Sequence, residues 1–332
     1  MVIFLASIGL VLSLAVILSS CEVFTNGIEW AGKKLKLGEA VVGSLLAAVG
    51  TAMPETMIPI IAILFTGGQD ASAIGIGAIL GAPFMLSTLA LLVTGTSVLA
   101  FAKVREKKRE MALDTTNMTV DMTYFLIVYP IAILAAFINN QYAKWAIAIF
   151  LVILYGLYVR KTLENTTESE GEPVPLYMTQ FLKLPTELPF IFAQVVLALA
   201  GIVIGAHFFV TNIEHLADAL HVSPLLLSII ITPIATELPE KFNSIIWISR
   251  GKDTLAVGNI TGAMVFQSSI PVAIGVAFTP WKLSGITLVS AIIALASILI
   301  QFTYLKRKNT LSPYMLLGIG GVLYVAFLTY AL

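Results

Sequence analysis

From Val2 to the end, long apolar stretches alternate with short polar breaks. A helix needs about 20 mostly apolar residues to cross a bilayer. Reading apolar runs between breaks gives ten stretches of that kind: 2–20, 39–66, 71–98, 121–139, 143–160, 187–209, 222–249, 253–279, 284–304 and 313–331. Two of them are uneven. "AAVGTAMPETMIP" (47–59) sets a glycine, two prolines and Glu55 inside an apolar run, and "ATELPEK" (235–241) sets Glu237, Pro239, Glu240 and Lys241 inside another. The pattern predicts an all-α integral membrane protein of ten transmembrane helices, two of them broken near the midplane.

Composition agrees. The chain is 58% hydrophobic and 11% charged, too little polar surface for a soluble domain of this length. Residues 18–21, "LSSC", resemble a lipoprotein cleavage box, but "MVIFLASIGL" carries no Lys or Arg, so the first stretch reads as a retained membrane helix rather than a signal peptide. The single cysteine, Cys21, leaves no intrachain disulfide or cysteine-built metal cluster. His207, His215 and His221 lack zinc spacing and read as loop or polar residues. Net charge is zero with basic residues in short clusters, which argues against nucleic acid as a partner. No G-x-x-x-x-G-K-[ST] and no H-E-x-x-H occurs, so neither ATP-driven transport nor metalloprotease chemistry has its parts, and an enzyme is not expected.

Charge also orients the stretches. All of the 19 Lys and Arg except Lys144, Lys241 and Lys282 fall in the breaks after the odd-numbered stretches, with "KVREKKRE" (103–110) the densest group. Basic residues gather on the cytoplasmic side, so those breaks are expected inside the cell membrane and both termini outside it. The sequons at Asn117 and Asn165 then face the cytoplasm, away from glycosylation. The polar segment 161–186, with its acidic, proline-containing middle, reads as a cytoplasmic linker between a first five-helix half (1–160) and a second (187–332).

The halves repeat. "FTNGIEWAGKKLKLGEAVVGSLLAAVGTAMPE" aligns with "FVTNIEHLADALHVSPLLLSIIITPIATELPE" at one fixed offset, pairing Phe24 with Phe209, Glu29 with Glu214, Thr51 with Thr236, Pro54 with Pro239 and Glu55 with Glu240. Further on, "GAILGAPFML" (77–86) aligns with "GNITGAMVFQ" (258–267). An odd number of spans per half makes the second half enter the membrane from the opposite side, an inverted repeat of the kind common in secondary transporters.

Proline removes a backbone donor and disturbs the preceding turn. The carbonyls this frees cannot face lipid. A carboxylate at bilayer depth costs at least ~2.5 kcal/mol and is normally functional. Two carboxylates, two threonine hydroxyls and loosened carbonyls form an all-oxygen set suited to a hard cation such as calcium. Without the ion, repulsion and desolvation between Glu55 and Glu240 would invite protons, so one pair can alternate between a divalent ion and monovalent ions or protons.

These two motif pairs, 50–86 and 235–267, resemble the alpha-repeats of the calcium/cation antiporter superfamily, which includes sodium/calcium exchangers, with the pattern G-T-S-x-P-E followed by G-N-x-x-G-S-N-x-x-N/D. The resemblance implies a secondary antiporter exchanging calcium, or a similar divalent cation, for sodium or protons by alternating access, with no cofactor and no obligate protein partner. It assigns calcium coordination to Thr51, Glu55, Thr236 and Glu240. The chain departs from the pattern at Ala52, Ala82 and Leu86, where Ser, Ser and Asn would stand, and at Glu237, Ala263 and Gln267 in the second repeat. Asn259 is kept while its counterpart is Ala78. These losses remove sodium ligands and leave protons at least as eligible as the counter-ion.

Glu237, Lys241, Asn259 and Gln267, with Ala52 and Ala82, are therefore candidates for the ion pathway. Glu237 and Lys241 are four apart and can pair on a helix, either bracing the broken helix or joining the ion coupling. Asn259 serves equally as an interhelical hydrogen-bonder. Glycines 75, 77, 81, 258 and 262 suit close helix packing, and Glu29 and Glu214 suit loop or capping positions. A channel, or a degenerate transporter acting as an ion sensor, would share the carboxylates.

Overall fold

The computed structural model describes residues 2–35, 52–66, 68–105, 109–164, 174–283 and 285–331. All regular structure among them is helical. Among the described residues, eight helices are long and apolar enough to cross a membrane: α1 (Val2–Lys34), α3 (Gln69–Ala100), α4 (Thr115–Phe137), α5 (Gln141–Thr162), α7 (Leu188–Leu220), α10 (Asp253–Phe278), α11 (Ile286–Lys308) and α12 (Pro313–Ala331). Two shorter apolar helices, α2 (Met53–Thr66) and α8 (Pro224–Thr236), accompany them. The remaining helices among the described residues are α6 (Tyr177–Leu182) and α9 (Leu238–Ser249). The chain divides into two compact units, Met1–Ser72 with Leu157–Pro224, and Ala73–Gly156 with Leu225–Leu332. Each unit draws on both halves of the sequence.

The first unit is organised by α1 and α7, 33 residues each, packed along one another. Both outrun the apolar stretches 2–20 and 187–209. Glu29 and Glu214 are consequently helical and not in loops, contrary to the expectation drawn from polarity. The extra turns of α1 persist because Asn26 finds partners inside the protein. Asn26 Nδ2 donates to the Val174 carbonyl at 3.0 Å, and Gln194 Nε2 donates to Val23 O at 2.9 Å and Asn26 Oδ1 at 3.0 Å. Asn26 Oδ1 and Gln194 Oε1 accept the backbone N–H groups of Tyr177 and Met178. Segment 174–182 is thereby pinned to α1 and α7, while the acidic middle of the expected linker lies outside the described residues. Helix α2 packs against α7 and α1.

In the second unit α10 packs against α4 and α9, and α12 against α3. Phe84, Met85, Ile229 and Phe327 form a core shared by α3, α8 and α12. Helices α3 and α8 cross at "GAILG": a Cβ on Gly77 would lie 2.7 Å from the Leu225 carbonyl oxygen, and one on Gly81 2.7 Å from Pro233 Cγ. Small residues four apart allow such backbone approach, and tight packing holds helices together where lipid supplies no hydrophobic drive. Gly258 departs from this expectation, since a Cβ there would meet nothing within 4 Å.

Two π turns interrupt the apolar helices, at Ala62–Thr66 in α2 and at Leu86–Ala90 in α3. The second is held by hydroxyls. Ser87 and Thr88 both donate to the Phe84 carbonyl, at 3.0 and 2.6 Å, and Ser297 of α11 donates to the Ser87 carbonyl at 2.5 Å. Carbonyls loosened by a π turn are in this way kept from lipid.

Candidate functional site

Both P-E motifs start a helix in the same way. Ala52 precedes α2 with φ −86° and ψ 6°, and Glu237 precedes α9 with φ −88° and ψ 7°. These are aligned positions of the repeat. Pro54 and Pro239 follow in the first helical turn, where a missing N–H costs little because that donor would have no helical partner. The next residue is the glutamate, and the helix N-terminus carries partial positive charge that favours an anion there.

In the first unit, Glu55 stands in the first turn of α2 and is 5% exposed. Thr56, beside it, returns its hydroxyl to the Ala52 carbonyl at 2.6 Å. Thr51 lies outside the described residues. The α2 motif is thus uncharged apart from Glu55.

In the second unit, the apolar run expected at 222–249 is broken at Glu237 into α8 and α9. Thr236 closes α8, is buried, and donates its hydroxyl to the Thr232 carbonyl at 3.0 Å. Glu240 falls in the first turn of α9; its side chain lies outside the described residues. Lys241 occupies the position that Thr56 holds in the first motif. Its Nζ donates to Glu237 Oε2 at 2.9 Å and to the Pro233 carbonyl at 3.4 Å. The Glu237 and Lys241 side chains are only 2% and 9% exposed. Lys241 therefore pairs with Glu237, the residue four positions before it. Although Glu237 sits at the cap position, its carboxylate caps no backbone N–H.

The other candidates are spread along α3 and α10. Ala82 is buried in α3, Gln267 is 2% exposed in α10, and Asn259 is half-buried two turns nearer the start of α10. Among the described residues no three His, Cys, Asp or Glu come together as a metal cluster. A further buried carboxylate, Asp121 of α4, accepts a 2.6 Å hydrogen bond from Thr261 of α10 and is 4% exposed. Reading the apolar runs missed it because it falls at the first position of one.

The family described as Sodium/calcium exchanger protein matches residues 5–161 and 190–332. The chain belongs to that family. It is a multi-pass membrane transporter of the exchanger kind and not an enzyme. The inner membrane protein YrbG of Escherichia coli (strain K12) is 24% identical over 296 residues, covering 87% of this chain and 84% of YrbG. Among solved structures, the H+/Ca2+ exchanger CAX superposes with a TM-score of 0.74 at 17% identity, over 97% of this chain and 82% of CAX. The sodium-calcium exchanger NCX_Mj, soaked with 100 mM Na+ and 10 mM Sr2+, gives 0.58 at 19% identity, over 98% and 99%. At those identities the likeness is one of fold.

Proposed function

We propose that the protein is a secondary antiporter that moves calcium, or a similar divalent cation, across the cell membrane in exchange for sodium or protons. Glu55 and Glu240 hold the divalent ion, Thr51 and Thr236 complete its oxygen shell, and Pro54 and Pro239 keep the helix starts open. The carrying observation is the matched geometry at Ala52 and Glu237, which begins two helices identically and puts a glutamate at the third position of each. Two carboxylates balance one divalent charge, and calcium prefers six to eight oxygens. Belonging to the exchanger family supports the same chemistry.

The proposed frame is ten spans in two inverted repeats. The eight long helices and the two short apolar ones, Met53–Thr66 and Pro224–Thr236, are compatible with that number. Both termini are proposed to be extracytoplasmic, on the distribution of Lys and Arg. Access alternates as one helix group moves against another around the ion. A channel or an ion sensor is less favoured, because both would leave the family's coupled exchange unused.

The test is 45Ca2+ uptake into proteoliposomes under separately imposed sodium and pH gradients. Glu55→Gln and Glu240→Gln should each abolish uptake while the purified protein melts as a folded species. Uptake retained in either variant overturns the ligand assignment. The gradient that drives wild-type uptake names the counter-ion, and uptake that cannot be driven against a calcium gradient would favour a channel.

A further inference from the structure

The two motifs share backbone but differ in charge at one pair of positions. Where the first has Ala52 and Thr56, joined by a hydroxyl-to-carbonyl bond, the second has Glu237 and Lys241, joined by a buried ion pair. Lys241 Nζ faces two oxygens, the type of donor that a monovalent cation takes. One carboxylate oxygen lies at 2.9 Å, and the Pro233 carbonyl, in the last turns of α8, lies at 3.4 Å. A helix C-terminus carries partial negative charge that favours a cation there. The second carboxylate oxygen, Glu237 Oε1, is buried with no hydrogen-bond partner among the described residues. A carboxylate placed only to brace the break would cap α9, and this one does not.

From this we infer that Lys241 is a tethered counter-cation: its ammonium permanently fills a monovalent-cation site made by Glu237 and the Pro233 carbonyl. The inference rests on reading 236–241 as part of the ion-carrying motif. It adds that the chain supplies from its own sequence a charge that would otherwise come from solution. A buried carboxylate without a partner is unfavourable. Removing the ammonium while keeping Glu237 therefore opens the site to a free cation of similar charge, such as Na+.

The experiment is a melting curve of the purified protein at one fixed alkaline pH, titrating NaCl against choline chloride at constant ionic strength. The wild-type difference between the two salts sets the baseline, since it includes any sodium bound elsewhere as transported counter-ion. Lys241→Met should melt lower in choline and recover by several degrees, saturably, as Na+ replaces it, because a ligand bound only by the folded state raises its melting temperature. Glu237→Gln/Lys241→Met should show no more than the wild-type difference between the salts. If Lys241→Met cannot be purified, Lys241→Ala carries the same test with a roomier site. A sodium response in the recovered single variant no larger than that of wild type overturns the inference. So does failure of both single variants to be recovered with sodium present throughout. Calcium uptake by Glu55→Gln reports on the divalent site independently, so the two readings fail separately.

Discussion

Arg105 and Asp253 form a two-point ion pair, with Nη1–Oδ1 at 2.7 Å and Nη2–Oδ2 at 2.6 Å, and both side chains are about 1% exposed. Arg105 follows α3 and Asp253 opens α10. Nη1 also donates to the Ile248 carbonyl at 2.8 Å and Nη2 to the Glu110 carbonyl at 3.1 Å, while Asp253 Oδ2 accepts the Ala112 N–H at 2.9 Å. One planar guanidinium thus ties the end of α3, the end of α9 and the segment before α4 to the start of α10. Asp253→Ala removes the carboxylate partner from that buried cation, and breaking a buried pair costs about 3–5 kcal/mol. Arg105→Lys keeps the charge but cannot span both carboxylate oxygens and both carbonyls, so its loss should be intermediate. Melting temperatures in detergent give the order wild type, Arg105→Lys, Asp253→Ala. A wild-type melt for Asp253→Ala would mean the clamp contributes nothing.

The crossing of α3 and α8 predicts a contrast between two glycines. A Cβ on Gly81 would lie 2.5 Å from the Ile229 carbonyl oxygen, a backbone atom that cannot swing aside. Gly81→Ala should therefore force the helices apart and cost about 1–3 kcal/mol. Gly258→Ala meets open space, and alanine is the better helix former by up to about 1 kcal/mol. It should be neutral or stabilising. Paired thermal melts decide the point, and equal losses at both positions would contradict the crossing.

Much of this was legible in the sequence, for identifiable reasons. A bilayer demands continuous apolar runs, so the helices themselves were readable, and the matched T-x-x-P-E segments announced where two of them start. The four-residue spacing of Glu237 and Lys241 already allowed their pair. Apolar runs mark only where lipid would touch a helix, however. They were blind to the turns of α1 that continue past residue 20, because Asn26 is satisfied by Gln194 of α7, distant in sequence. The π turn at Leu86–Ala90 was equally hidden, since its stabilising hydroxyl comes from Ser297 on α11. Asp121 escaped because its partner, Thr261, lies on another helix. The ligand set Thr51, Glu55, Thr236 and Glu240 remains a proposal that transport measurements will decide.

Asp121 and Thr261 provide a test of a buried contact outside the P-E motifs. The Thr261 hydroxyl donates to Asp121 Oδ2 at 2.6 Å, joining α10 to α4. Asp121→Asn retains an acceptor oxygen and should be tolerated better than Asp121→Ala. In a double-mutant cycle, Asp121→Ala and Thr261→Val should show a coupling energy of about 1–2 kcal/mol, within the range for residues in one hydrogen bond. Additive losses would show that the two side chains do not support each other.

The hydroxyl of Ser297 should matter more than the amide that leans on it. Ser297 donates to the Ser87 carbonyl inside the π turn, and Gln301 Nε2 in turn donates to Ser297 Oγ at 3.0 Å. All three residues are fully buried. Ser297→Ala therefore strands two polar groups at once, the loosened carbonyl and the amide N–H, and a stranded buried group costs about 1–3 kcal/mol. Gln301 contributes differently. Its Oε1 is buried with no hydrogen-bond partner among the described residues, so replacing it with leucine removes one unsatisfied acceptor along with one hydrogen bond. Gln301→Leu should consequently cost less than Ser297→Ala. In the Ser297→Ala background, Gln301→Leu should recover part of the loss. Thermal melts of the two single variants and the double variant measure all three quantities. If Gln301→Leu is the more damaging single change, the amide is the anchor of the turn and the hydroxyl only its accessory.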